Sequence, residues 1–153
     1  MLKKFLPDTF LMSNDTTIAK EKIFETPLIG LYFSALWCPP CVGFHLKLLE
    51  FYKTVNTPKK RIELILCSLD EDEEDFKQYL AKMSFPAIDY SDPKLEDLIE
   101  AFGVESIPMI VVFDYKGNLI DAEGKHAVEG KSNLSAEETI KTWLKKSNEK
   151  IAA

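Results

Sequence analysis

Residues 27–36, PLIGLYFSAL, restrict the fold of this chain more than any other stretch, because they are apolar almost without a break and carry no charge. A run of that length with no polar alternation suits a strand covered on both faces, as in the middle of a mostly parallel sheet. A strand buried that way needs a layer of structure on each side of its sheet. The run leads directly into Trp37-Cys38-Pro39-Pro40-Cys41. The chemistry of these cysteines therefore belongs to the end of a buried strand.

The rest of the chain supplies the layers. CVGFHLKLLEFYKT carries polar Lys47, Glu50 and Thr54 at about helical spacing and reads as a largely buried helix. Residues 61–68, RIELILCS, read as a second buried strand. Six acids, Asp70 to Asp75, precede FKQYLAKM. They read as a solvated helix start, where carboxylates face the positive end of the dipole, and they lack the alternating spacing of a calcium loop. Ser91–Gly103 reads as a helix, with Asp92 as cap, Pro93 in the first turn, Leu95, Leu98, Ile99 and Phe102 on one face, and Gly103 at its end. SIPMIVVFD then reads as a strand entered through Pro108. Lys116, Gly117 and Asn118 make a turn, and LIDAEG returns as a strand. Ser135 and Glu138 form a capping-box pattern ahead of Ile140, Trp143 and Leu144 in a closing helix.

The order strand, helix, strand, helix, helix, strand, strand, helix predicts an α/β three-layer sandwich around a mixed sheet, parallel early and antiparallel at the late hairpin. Its 153 residues suit one domain, with 27–147 as core and 1–26 as an irregular or hairpin extension at one edge. A net charge of −6 argues against nonspecific nucleic-acid binding. No apolar run is long enough to span a membrane. The N-terminal residues include two lysines but only scattered apolar positions, interrupted by Pro7 and Asp8, so they do not read as a secretory signal. The expected address is the cytoplasm, where stable disulfides are rare.

Three chemistries compete for Cys38 and Cys41. Structural zinc takes four closed ligands, whereas here one CxxC is accompanied only by a distant Cys67, His45 and His126. A permanent staple suits neither the compartment nor an odd cysteine count. A dithiol that opens and closes fits the strand-to-helix junction. Cys38 falls at a helix N-terminus, where unpaired N–H groups and the dipole favour a thiolate, and Pro40 costs little in the first turn. Pro39 and Pro40 also hold the two sulfurs near bridging distance. Cys38 is expected to be exposed and to attack; Cys41, one turn in, is expected to be shielded and to resolve the mixed disulfide.

At these residues the chain resembles the thioredoxin superfamily, and within it the tryparedoxin and nucleoredoxin branch. The resemblance rests on YFSALWCPPCVGF (32–44), LCSLDEDEEDF (66–76) and FGVESIPMIVVFD (102–114), and spans roughly residues 9–146. It implies a thioredoxin-like fold, Cys38 as nucleophile and Cys41 as resolving cysteine. Trp37 would flank the substrate cleft, Pro108 would be a cis-proline facing the disulfide, and Ile107 would offer its backbone to an incoming peptide. Tyr32 and Asp70 match positions tied to the active-site hydrogen-bond network, and Glu105 a position near the substrate rim. Where ordinary thioredoxins carry a buried aspartate, this strand has Tyr32. Asp70 is then the candidate proton carrier for Cys41, its alternative being a cap on the next helix. Tyr32 is equally a core aromatic.

Three departures stand out. Val42 replaces the arginine usual in tryparedoxins, removing a positive charge near the thiols. Leu46 replaces a helix-kinking proline of many thioredoxins. His45, one turn after Cys41, either tunes that thiol or simply packs; His126 and Cys67 carry weaker expectations, Cys67 as a small core residue. The resemblance implies a thiol–disulfide oxidoreductase that reduces protein disulfides, peroxidases among its candidate targets; a monomer is the expectation, though no motif in the sequence sets the oligomeric state. No flavin or nicotinamide signature is visible, so no cofactor beyond the redox-active disulfide is expected, and electrons would arrive from an external reductase or small dithiol. The alternative is a nucleoredoxin-like module that grips partners through the same cleft, with redox state as a switch.

Overall fold

A computed structural model describes residues 2–153. A mixed four-stranded sheet lies at its centre, in the order β4 (Ile62–Ser68), β3 (Leu28–Ser34), β5 (Met109–Asp114), β6 (Leu119–Asp121). β3 runs parallel to β4, with Tyr32 opposite Leu66, and antiparallel to β5, with Tyr32 opposite Ile110. Every residue of β3 and β4 is buried, as expected for strands covered on both faces.

The two faces follow from the two-residue period of the strand. Leu28 and Tyr32 of β3 point with Leu64 and Leu66 of β4 into one core, closed by α2 (Pro39–Val55), α3 (Glu73–Leu80) and α6 (Ala136–Ala152). Ile29, Leu31 and Phe33 point the other way with Ile65 and Cys67. They meet Leu95 and Leu98 of α4 (Pro93–Ala101) and the N-terminal residues Leu2, Leu6, Phe10 and Ile23. The result is the α/β three-layer sandwich with a mixed sheet.

The helix signals are realised atom by atom. Asp92 accepts from the Lys94 N–H at the start of α4. At its end Gly103, at φ +56°, lets the Val104 N–H reach back to the Ile99 carbonyl and its own N–H reach Glu100, a Schellman ending. The Ser135–Glu138 capping box opens α6 with both of its bonds present. α2 runs unbroken through Leu46.

Two features, at β6 and at the end of α6, differ from the sequence reading. The strand expected over LIDAEG is only Leu119–Asp121, and a short helix, α5 (Gly124–Val128), follows. Gly124 suits this close packing: a Cβ there would lie 3.1–3.3 Å from Ile110 and Val112, a tight contact that would require these side chains to give by a few tenths of an ångström. α6 continues to Ala152, past the expected core limit at 147. The N-terminal residues form a 3₁₀ turn (2–5), a hairpin of β1 (Thr9–Leu11) and β2 (Thr17–Ala19), and α1 (Lys20–Ile23). Residues 86–88 connect that hairpin to the sheet, because Ala87 exchanges both backbone hydrogen bonds with Leu11 while Pro86 and Ile88 bond to Leu66 of β4. A second cis bond, Thr57–Pro58, joins the cis Ile107–Pro108.

Candidate active site

β3 stops at Ser34, and four residues later Cys38 caps α2 with extended backbone (φ −96°, ψ 107°). Pro39 and Pro40 occupy the first turn, where their missing N–H groups would have had no helical partner. The first available amide is that of Cys41, and it is shared between the Cys38 carbonyl oxygen at 3.0 Å and Cys38 Sγ at 3.3 Å. Cys38 and Cys41 form a disulfide, Cα to Cα 5.2 Å. Their shared environment is small and apolar: Ala35 is buried with them, and Leu69 and Ile107 pack against all three. The Ile107 carbonyl oxygen lies 3.8 Å from Cys38 Sγ, and the buried cis-Pro108 follows it.

One expectation needs correction. Cys38 was expected to be exposed, but it is only 4% exposed, against 0% for Cys41. Leu69 and Ile107 cover it, and Trp37, 54% exposed, takes the solvent position at the tip of the loop. The two sulfurs thus differ by position along the helix more than by accessible area.

The loop that carries Cys38 is fastened to the end of β4. Asp70 Oδ1 accepts the Leu36 N–H at 2.8 Å, and Oδ2 accepts the Ser68 hydroxyl at 2.7 Å. The Ser68 Oγ in turn accepts the Asp70 N–H, and Trp37 Nε1–H donates to the Leu69 carbonyl at 3.2 Å. Asp70 does not cap α3; Asp72 does, accepting from Asp75 N–H. Burial raises the Asp70 carboxyl above the usual carboxylate range, offset in part by the Ser68 hydroxyl and the Leu36 N–H. Neither of its oxygens hydrogen-bonds Cys38 or Cys41 among the described residues.

Tyr32 is fully buried beneath this loop. Its hydroxyl is 3.1 Å from that of Tyr79, which is 2.6 Å from Ser34 Oγ. Its ring lies parallel to the His45 imidazole, 6.3 Å away. Burial raises both tyrosines, Tyr32 strongly, so they stay protonated. Tyr32 is thus a core aromatic with its hydroxyl satisfied locally. His45 packs as well: Nε2 faces the Lys82 carbonyl at 3.3 Å, and burial lowers its pKa below 6.5. Because a carbonyl only accepts, Nε2 carries the proton of the neutral ring. Cys67 is buried on the opposite face of the sheet, its thiol pushed far up by burial and inert.

Glu105 is exposed and borders a cleft of about 340 Å³ that also touches Pro108, Lys125 and His126. The structure brings Trp37, Cys38, Cys41, Ile107 and Asp70 together, while Glu105 shares its cleft with Pro108. Tyr79, Ser34 and Ser68 were missed by the sequence reading. The Ser68–Asp70 spacing is a turn signal that would have found one of them; Tyr79 carries no local signal. No group of three or more His, Cys, Asp or Glu side chains suited to a metal is present among the described residues.

A thioredoxin-like family profile matches residues 27–119, a span that holds β3, the cysteine pair, β4 and the cis-proline strand. The chain belongs to the thioredoxin-like family. Tryparedoxin of Trypanosoma brucei brucei is 38% identical over 115 residues, 74% of this chain and 78% of that one. Nucleoredoxin of Xenopus laevis is 34% identical over 116 residues, 75% of this chain; the chain spans only 28% of that protein's length. Among solved structures, tryparedoxin II of Crithidia fasciculata superposes with a TM-score of 0.78 at 38% identity, covering 86% of this chain and 88% of that one. The matched span carries the Cys38–Cys41 pair at CxxC spacing. Among the described residues, no helix is long and apolar enough to cross a membrane.

Proposed function

We propose that this protein reduces protein disulfides through a Cys38/Cys41 dithiol cycle. The observation that carries the proposal is the Cys41 N–H directed at Cys38 Sγ from the first turn of α2. When the disulfide is open, that amide and the helix terminus favour a thiolate on Cys38 over one on Cys41. Cys38 thiolate attacks one sulfur of the substrate disulfide. A mixed disulfide forms, and the other substrate sulfur leaves as a thiolate that takes a proton from water. Cys41, losing its proton, then attacks Cys38 Sγ and expels the second substrate thiolate. Two electrons have passed to the substrate, and the Cys38–Cys41 disulfide is restored. An external dithiol or reductase reverses the sequence to complete turnover.

In this reading Trp37 flanks the incoming partner. The Ile107 backbone and Pro108 hold it opposite the sulfurs, and Glu105 lies at the rim. Asp70 fixes the loop through Leu36 and does not carry the proton. The cycle needs no cofactor or metal. The cytoplasm suits a pair that must be reduced repeatedly. Tryparedoxin II has been solved with glutathionylspermidine, which supports a small thiol as electron source for proteins of this kind; peroxidases are the proposed target class. The nucleoredoxin relatives favour a second reading, a module that binds partners and uses the pair as a switch.

Cys38→Ser separates the two. Loss of disulfide reduction together with loss of biological function supports the reductase. Retained function without reduction supports the module.

A further inference from the structure

α2 has an apolar strip that is largely open to solvent at Val42 and Leu46 and meets the core only at half-buried Leu49. Phe44, Leu48 and Phe51 enter the core, while Val42, Leu46 and Leu49 recur at i, i+4 and i+7 along another side. Val42 is 49% and Leu46 72% exposed. A single exposed leucine needs no account; a strip on the helix that carries the reactive pair does. With Leu36 and Lys82, these three border a cleft of about 310 Å³ that also touches His45 and Tyr79. The cleft starts at the reaction centre, for Leu36 stands two residues before Cys38 and Val42 follows Cys41 directly.

Two considerations select its occupant. The first is reach. Leu46 lies eight residues beyond Cys38, roughly 12 Å along the helix. A protein that places a sulfur against Cys38 covers about 800 Å² on this side, so the cleft falls inside its footprint. The second is charge. Lys82 is the cleft's one full charge, since His45 is held neutral, and it makes no ion pair among the described residues. The chain as a whole carries −6, so a second copy would meet like charge. An apolar slot with a cationic lip suits a partner that presents an apolar side chain beside a carboxylate.

We infer that the Val42–Leu46–Leu49 cleft seats an apolar side chain, flanked by a carboxylate, of the disulfide-bearing protein that Cys38 attacks. The distance sets the spacing: about four residues of extended chain separate that side chain from the attacked cysteine. The inference rests on the reading of the protein as a disulfide reductase.

The test uses synthetic peptides whose single cysteine is disulfide-bonded to thionitrobenzoate, with Leu-Asp placed at successive positions two to about six residues from the cysteine. Ser-Asn at the same positions is the control, and hydroxyethyl disulfide is the small substrate. One register is expected to raise kcat/KM about tenfold or more, mainly through KM, the scale of one side chain entering an apolar pocket. Leu46→Glu abolishes that gain and Lys82→Glu abolishes the preference for Asp, while hydroxyethyl disulfide is reduced at the same rate by all three proteins. Reduction of every peptide without register dependence overturns the docking inference and leaves the reductase intact, as does a gain that survives in Leu46→Glu. A wild-type dimer that Leu46→Glu dissolves puts a second copy in the cleft and overturns it too. Failure to reduce any disulfide overturns the reductase reading itself.

Discussion

Two influences oppose each other at Cys38. Burial to 4% exposure disfavours a thiolate, and the Cys41 N–H at the α2 terminus favours one. With Val42 at the next position there is no side-chain cation to add to the second. Asp70, beside this pair, divides between Leu36 N–H and Ser68 hydroxyl. Asp70→Asn is therefore expected to slow disulfide reduction several-fold while leaving the inflections of the pH–rate profile in place; a displaced inflection would make Asp70 a proton carrier. Asp70→Ala leaves the Leu36 amide without its acceptor and is expected to cost about 1–3 kcal/mol in urea unfolding. His45 gives a second, independent signature. Its folded-state pKa lies below the ordinary 6.5 because burial penalises the charged ring, so the unfolded chain binds more protons below 6.5. Stability consequently rises with pH up to about 6.5 and is lost as the pH falls toward the folded pKa. His45→Gln is expected to flatten that dependence between about pH 5 and 7.5, as read by urea unfolding at each pH.

The elements with local chemistry at their ends were readable from residues alone. Asp92-Pro93 and Gly103 bracket α4, and Ser135 with Glu138 opens α6, because caps act on amides within one turn. Ser135→Ala is expected to cost about 1 kcal/mol. The elements that were not readable depend on distant contacts. Residues 86–88 bridge β1 to β4 through Leu11 and Leu66 with no strand-like pattern of their own. α5 starts at Gly124, which lies close against Ile110 and Val112 of β5. Gly124→Ala is expected to push α5 away from β5 and cost about 1–3 kcal/mol, seen as a lower urea midpoint. The same division runs through the site. CxxC at a strand end and the acidic run near Asp70 were visible, but Tyr79 joins Ser34 and Tyr32 only once α3 has docked on the sheet. The low exposure of Cys38 was hidden for the same reason, since Leu69 and Ile107 are distant in sequence.

At the scale of the molecule, β3 is the spine of both cores. Its alternate residues feed opposite faces, so losing either helical layer exposes one face of the strand that both cores share. Unfolding is then expected as one cooperative event: Trp37 fluorescence at the site and far-UV circular dichroism should give coincident urea transitions. Leu48→Ala, in the core under α2, should lower both together by about 2–5 kcal/mol. Two separated transitions would divide the molecule. The fold thus holds a strand end, a helix start and a cis-proline loop together around one pair of sulfurs, and the account depends on that pair cycling. The direct test is the reduction potential of Cys38–Cys41, by equilibration in defined thiol buffers with mass mapping of both cysteines. A reversible two-electron couple between about −200 and −270 mV, in the range of glutaredoxins and thioredoxin, is the expected result. A value near roughly −120 mV would make the protein an oxidant, and the absence of any reversible couple would contradict the dithiol cycle outright.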